Sequence, residues 1–369
     1  MMIYVRTLTL SNFRNYTSAR IEADASPVVV TGANGAGKTT ILEAISLLTP
    51  GRGLRRAKVP ELDNMYNAMP WAIHAEVTSI AGITSIGTGR DADGSDKRIV
   101  KIDGKATRLQ TELGKIFSVL WLTPQMDTLF IEGNTARRNF IDRLVFSFDS
   151  EHATRINAYE QVMRERNRLL ETGNRDKNWL NALEHKMAEH GIAIAVARGH
   201  TTEHLNNAML LSGHAFPRAH ITLSDMVEDA LKNGSALAAE NAFRELLAAN
   251  RAQDAGAGRT LAGIHRTQVE VVHNEKNQEA EHCSTGEQKA LLVSIILAQA
   301  RAGARWHGNV PALLLDEVAT HLDVTRRRAL FDEITEIGAQ TWLTGTDRKT
   351  FDELKAQHLS IENGNVQYV

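Results

Sequence analysis

Three observations predict an α/β fold interrupted by an inserted helical domain. A glycine-rich loop near the N-terminus stands between a β-branched run, residues 27–30, and an amphipathic run, residues 41–48. Strand character returns near the C-terminus, where the apolar run 312–315 ends in two acids, Asp316 and Glu317. Between these halves the apolar residues recur at steps of three and four, the helical period.

The elements follow in order. Residues 4–10 alternate as a strand with 20–23 as its partner, and 28–31 lead into the glycine-rich loop. Residues 71–80, 83–87 and 98–102 read as an antiparallel meander that turns at Asp103-Gly104. The continuous apolar run 117–122 is a buried strand ending at Thr123-Pro124-Gln125. Beyond it, Phe140, Leu144, Ile156, Tyr159, Met163 and Leu170 mark two helices with Asp149-Ser150 between them. After a break at Gly173-Asn174, a second run carries Leu180, Leu183, Met187, Ile194, Leu205 and Met209, which predicts an antiparallel helical hairpin; 236–249 adds another helix. Heptads are not sustained, so a compact arm is expected and not a long coiled coil. Residues 253–258 read as the exit linker, and strands follow at 267–273, 310–315, 341–343 and in a final hairpin turning at Asn363-Gly364. The expected division is a two-lobed head, 1–124 and 258–369, around a helical arm, 125–257.

Composition narrows the function classes. The 369 residues are too many for one ordinary core, and 43% apolar with 23% charged residues is normal for a soluble globular chain. No run approaches the length of a membrane span and the N-terminus lacks signal-peptide architecture, so a cytoplasmic protein is expected. Cys283 is the single cysteine, which excludes an intrachain disulfide and a thiolate metal site. A net charge of −2 gives no global attraction to nucleic acid, so such binding would rest on local clusters. Those clusters are Arg52, Arg55, Arg56 and Lys58; Arg137, Arg138 and Arg143; Arg164, Arg166 and Arg168; and Arg326, Arg327 and Arg328.

The loop Gly32-Ala33-Asn34-Gly35-Ala36-Gly37-Lys38-Thr39-Thr40 fits G-x-x-x-x-G-K-[ST], with strand before and helix after. Glycines let successive backbone N–H groups curl around phosphates, and the helix start adds its positive dipole end. Lys38 is placed to reach the β- and γ-phosphates of a nucleoside triphosphate and Thr39 to hold Mg²⁺. Asp316, at the end of a buried strand, supplies the second Mg²⁺ anchor and Glu317 the group that polarises water; the two acids could instead cap the following helix. Ser284-Thr285-Gly286-Glu287, ahead of the apolar run 291–300, is a second anion-ready helix start. Since the first loop already holds the phosphates of its own head, this one suits a nucleotide on another copy.

In that order, these motifs resemble ABC-type ATPases, in which two heads sandwich two nucleotides. The resemblance implies a signature motif at Ser284 to Glu287, a D-loop at Thr320-His321-Leu322-Asp323, and a Q-loop at Gln125 that senses Mg²⁺ and the γ-phosphate. It leaves the switch position to Thr346 or Asp347, where no histidine stands. The opening Leu8-Thr9-Leu10-Ser11-Asn12-Phe13-Arg14-Asn15-Tyr16 resembles the RecF family of SMC-like ATPases, as do residues 137–144, Tyr159-Glu160 with 164–170, and Gly263-Ile264-His265-Arg266. The last departs from the family's Gly-Pro-His-Arg. This resemblance implies an ATP- and Mg²⁺-dependent homodimer with weak, DNA-stimulated ATPase activity. It further implies binding to duplex, gapped and junction DNA, and loading of RecA together with RecR and RecO. Arg52, Arg55, Arg56, Arg137 and Arg138 are the candidate DNA contacts. Two other readings compete: an SMC-like scaffold that binds ATP without useful turnover, and a transporter ATPase subunit, which the long Lys38 to Ser284 separation disfavours.

Overall fold

In the computed structural model the chain divides into two compact units, one of residues 1–128, 208–218 and 284–369 and the other of 129–207 and 219–283. The structure describes residues 3–66, 69–79, 82–91, 93, 95–173, 176–211, 215–308, 310–362 and 364–369, with the side chains of 306, 307 and 321 set aside. Asn174 and Asn363, each half of an expected turn, lie outside the described residues, as does Ile80 at the end of the expected strand 71–80.

The first unit holds two sheets. In one, Tyr16–Glu22, Tyr4–Phe13, Ala72–Ser79, Gly82–Arg90, Arg98–Ile102 and Lys105–Thr107 pair in that order, each antiparallel to its neighbour. Alternation produces this sheet: Leu8, Leu10, Ile73, Ala75 and Val77 point to one face and are buried, while their sequence neighbours are more exposed. The other sheet runs Asn365–Tyr368, Gln357–Glu362, Val28–Gly32, Thr341–Gly345, Ala312–Leu315, Val119–Leu122. Four of its five pairings are parallel and the terminal hairpin is antiparallel, and its central strands are buried on both faces, as a covered sheet requires. One continuous core joins the sheets around the helix Lys38–Ser46, with Phe13 set edge-on against the buried Trp71 at 5.6 Å.

The second unit is built from the helices Asn134–Phe146, His152–Glu171, Lys177–Leu210 up to residue 207, Met226–Asn233, Ala236–Ala249 and Arg251–Ala257. Its core gathers Tyr159, Met187, Ile194, Phe243 and Leu247, and the hairpin end closes with Leu169, Leu180 and Leu183. Two sequence expectations are corrected here. Residues 253–258 are not a linker but the end of a helix. Asp254 there is buried, accepts from Arg166 Nη1 at 2.7 Å and from the Leu261 N–H at 3.0 Å, and only Gly258, at φ +63°, ends the helix. Strand Gln268–His273, expected in the head, pairs antiparallel with Ala219–Ser224 inside the second unit. Arg166, counted in one of the local arginine clusters, is fully buried, held by Glu184, Asp254, the Thr260 hydroxyl and the Leu247 carbonyl. Cys283 is buried, as expected of a small apolar residue.

Candidate nucleotide site

The loop between Val28–Gly32 and Lys38–Ser46 turns on glycines whose conformations other residues avoid: Gly35 at φ +80° and Gly37 at φ +114°. Gly37 is the helix N-cap and supplies no side-chain acceptor, which leaves the helix start without a side-chain cap and suited to an anion. The loop is braced from outside. Asn15 Nδ2 donates to the Ala36 carbonyl at 3.1 Å, and the buried Tyr16 hydroxyl donates to the Gly37 carbonyl at 3.1 Å. Arg14 makes two bonds, 3.0 and 2.8 Å, to Glu43 on the loop's own helix. Arg14, Asn15 and Tyr16 thus act as a clamp on the phosphate loop and its helix. Burial pushes the Tyr16 phenol well above its ordinary range, so it stays a donor.

Lys38 is buried. Its ammonium donates to the carbonyls of Gly32 at 2.9 Å and Ala33 at 3.1 Å, and lies 3.5 Å from Glu317 Oε1. Thr39 Oγ1 donates to Asp316, 2.9 Å from Oδ1 and 3.1 Å from Oδ2. The parallel pairing of Ala312–Leu315 with Thr341–Gly345 sets a second hydroxyl beside these acids. Thr344 Oγ1, fully buried, donates to Asp316 Oδ1 at 2.7 Å and accepts the Glu317 N–H at 2.9 Å. Glu317 itself sits in the left-handed region at φ +56°, a conformation that costs about 1–3 kcal/mol in a residue other than glycine. The Thr344 hydroxyl holds that conformation, and Thr320 Oγ1 donates to Glu317 Oε2 at 3.1 Å.

The remaining sequence candidates are placed as follows. Ser284 caps the helix Thr285–Ala302 in a reciprocal capping box: its hydroxyl accepts the Glu287 N–H at 3.4 Å while Glu287 Oε2 accepts the Ser284 N–H at 3.0 Å. A side chain added at Gly286 would meet nothing within 4 Å, so this helix start is open. Gln125 lies exposed on the turn Pro124–Met126. Two residues later Asp127 pairs with Lys289 of the helix Thr285–Ala302 at 2.9 Å, a link without a motif to announce it. Asp323 is exposed and caps Val324–Ile337 through the Arg326 N–H at 2.9 Å. Thr346 and Asp347 are exposed; Asp347 caps the turn Arg348–Phe351, and the threonine that touches both acids is Thr344. Sequence reading passed over it because a threonine inside a β-branched and aromatic strand reads as a strand former.

Among the candidate DNA contacts, Arg52 and Arg56 are exposed on the loop after the phosphate-loop helix, and Arg52 Nε donates to the Ala57 carbonyl. Arg55 is 34% exposed and pairs with the buried Glu43 at 3.2 Å. In the second unit Arg137 donates to the Phe130 carbonyl at 2.7 Å and pairs with Glu281 at 3.3 Å. Arg138 donates to the Thr267 carbonyl at 3.0 Å, and burial, with Arg198 and Arg266 nearby, lowers its pKa.

A family model described as RecF/RecN/SMC N terminal domain matches residues 4–364. A Rhizobium rhizogenes protein named DNA replication and repair protein RecF is 45% identical over 99% of this chain and 98% of its own length. The protein of that name from Brucella suis biovar 1 is 45% identical over 99% and 96%. Among solved structures, the recombination mediator protein RecF with ATPrS superposes at a TM-score of 0.87, with 22% identity over 100% of this chain and 98% of that one. An Smc head domain from Pyrococcus furiosus reaches 0.57 at 15% identity.

Proposed function

The chain belongs to the RecF family of SMC-like ABC ATPases, and on that premise we propose that it is an ATP-driven DNA-binding protein of recombinational gap repair and replication-fork recovery in the cytoplasm. ATP pairs two heads, with Ser284, Thr285, Gly286, Glu287 and Asp323 of one copy facing the phosphate loop of the other. The pair binds duplex DNA at gaps and junctions and, with RecR and RecO as partners, promotes RecA loading. Among the described residues no helix is long and apolar enough to cross a membrane, which accords with a role at DNA.

One observation carries the ATPase reading: Lys38, Thr39, Asp316 and Glu317, drawn from two distant stretches of chain, meet within hydrogen-bonding distance at the phosphate loop. The hydroxyl of Thr39 and the carboxylate of Asp316 are hard oxygen donors, the set that Mg²⁺ takes. When bound, Mg²⁺ neutralises charge developing on the transferred phosphoryl group. Lys38 neutralises phosphate charge, and Glu317 orients water and accepts its proton. Thr344 keeps the two acids in register, and the clamp of Asn15 and Tyr16 keeps the loop's amides aimed. Gln125 and one of Thr346 and Asp347 face the γ-phosphate in the closed pair.

The deciding experiment is sedimentation of the purified chain with ATP, with ADP and with ATP plus gapped duplex, alongside hydrolysis measured with and without that DNA. Dimers with ATP alone, retained on DNA, and hydrolysis that rises on adding DNA are expected. A monomer in all three mixtures overturns the paired-head reading. Dimers without turnover favour the scaffold.

A further inference from the structure

Among the described residues Tyr66 is the most exposed of the large apolar side chains, 83% accessible, although the chain leading to it is held in place. Its N–H donates to Asn64 Oδ1 at 2.9 Å, Asn64 is buried, and the preceding Met65 N–H donates to the Arg14 carbonyl at 3.2 Å. Arg14 begins the clamp that grips the phosphate loop, so Tyr66 is carried on the framework that aims the loop's amides. Tyr66 lines a cleft of about 650 Å³ together with Asn15, Ala33, Gly35, Ile361 and Gly364. That cleft therefore has phosphate-binding backbone on one wall and an accessible aromatic on another.

We propose that Tyr66 is the nucleobase platform of this chain: the base of the nucleoside triphosphate stacks on its ring while the phosphates lie in the loop Gly32 to Thr39. The inference rests on the nucleotide reading above and adds to it the residue that recognises the base. A π-face accepts any base and favours the larger overlap of a purine, and stacking on an aromatic contributes enough to be read in affinity. Met65 and Met69, 80% and 60% exposed, add polarizable thioethers to the same segment.

The test compares ATP with inorganic tripolyphosphate, which carries the charge and lacks the base, by competition against a fluorescent ATP analogue on the full chain. Tyr66→Ala is expected to weaken ATP about tenfold and leave tripolyphosphate unchanged, so the selectivity for ATP collapses; Tyr66→Phe keeps both within about twofold. Unchanged tripolyphosphate affinity also reports that the variant is folded. Parent affinity for ATP in Tyr66→Ala overturns the proposal and assigns the exposed Met65-Tyr66-Met69 strip to another partner. Equal loss of ATP and tripolyphosphate overturns it as well, since Tyr66 would then act on the phosphate loop, as does a parent protein that fails to prefer ATP over tripolyphosphate. Failure of the nucleotide reading shows separately, as undiminished ATP binding in Lys38→Met.

Discussion

The hydroxyl of Tyr16 donates to the carbonyl of Gly37, the residue that begins the phosphate-loop helix, at 3.1 Å. A β-carbon on Gly37 would lie 2.7 Å from that hydroxyl and overlap Asn15 Nδ2, in a backbone at φ +114° that L side chains avoid. Gly37→Ala should therefore abolish nucleotide binding while the rest of the head stays folded. Tyr16→Phe removes a single hydrogen bond, worth about 1 kcal/mol, so ATP affinity should fall about fivefold. Calorimetric titration with ATP checks both.

Thr344 should act on turnover more than on binding, because its hydroxyl contacts Asp316 and the Glu317 backbone. Thr344→Val is expected to lower kcat by about 10²-fold with ATP affinity changed by less than about threefold, and Thr344→Ser to restore it. Equal rates in the valine variant would detach Thr344 from the chemistry.

Mutation should separate the Ser284 helix start, proposed to act in trans, from the cis site. Ser284→Arg should bind ATP normally and fail to form ATP-dependent dimers, as the new side chain fills the open helix start. Glu317→Gln should retain ATP and accumulate dimers, whereas Lys38→Met loses both. Sedimentation with ATP reads all three, and dimers of parent affinity in Ser284→Arg would exclude the signature helix from the interface.

Arginines differ in what they can offer DNA. Arg55 is engaged by the buried Glu43, so Arg55→Gln should lower the melting temperature, leaving that carboxylate with Arg14 alone. Arg52→Gln with Arg56→Gln should instead weaken binding to all DNA sequences alike and reduce the salt slope by about 2. A binding series over salt with ATP present measures the slope, and an unchanged value would make both arginines ordinary surface residues.

Glu228 gives the second unit a pH dependence. Burial first, then the Asp225 charge, pushes its carboxyl up to about 7, despite Arg198 and Lys232, and its Oε1 has no hydrogen-bond partner among the described residues. A folded pKa above the unfolded value means the native state holds the proton more tightly. The contribution of this one group to stability is thus full below the ordinary glutamate range and is lost as pH rises from there through about 7. Glu228→Gln should flatten this decline and raise the melting temperature at pH 8 relative to the parent.

The phosphate loop and the acids at Asp316 and Glu317 are legible in sequence because their chemistry needs particular residue types at fixed spacing next to a strand. The clamp of Asn15 and Tyr16 is visible only as a family likeness, since its bonds run from side chains to carbonyls of a loop about twenty residues on, which no periodicity encodes. Thr344 is hidden for a similar reason: parallel pairing, not spacing, brings it to Asp316. The helix Arg251–Ala257 was masked by its glycine, and it holds because Arg166 recruits Asp254 from far along the chain. Strand Gln268–His273 reads as a strand but not as belonging to the second unit, because its partner Ala219–Ser224 is short and follows a long helix.

The strand that feeds the phosphate loop, Val28–Gly32, lies between Thr341–Gly345 and Gln357–Glu362. Both of its neighbours leave the ribosome long after it does. During synthesis the glycine loop has no sheet to anchor it, and Asp316 and Glu317 have not been made. The emerging chain should therefore acquire an anchored glycine loop only when translation is almost complete, and a product truncated before Thr341 should fail to bind ATP in the titration that the full chain passes.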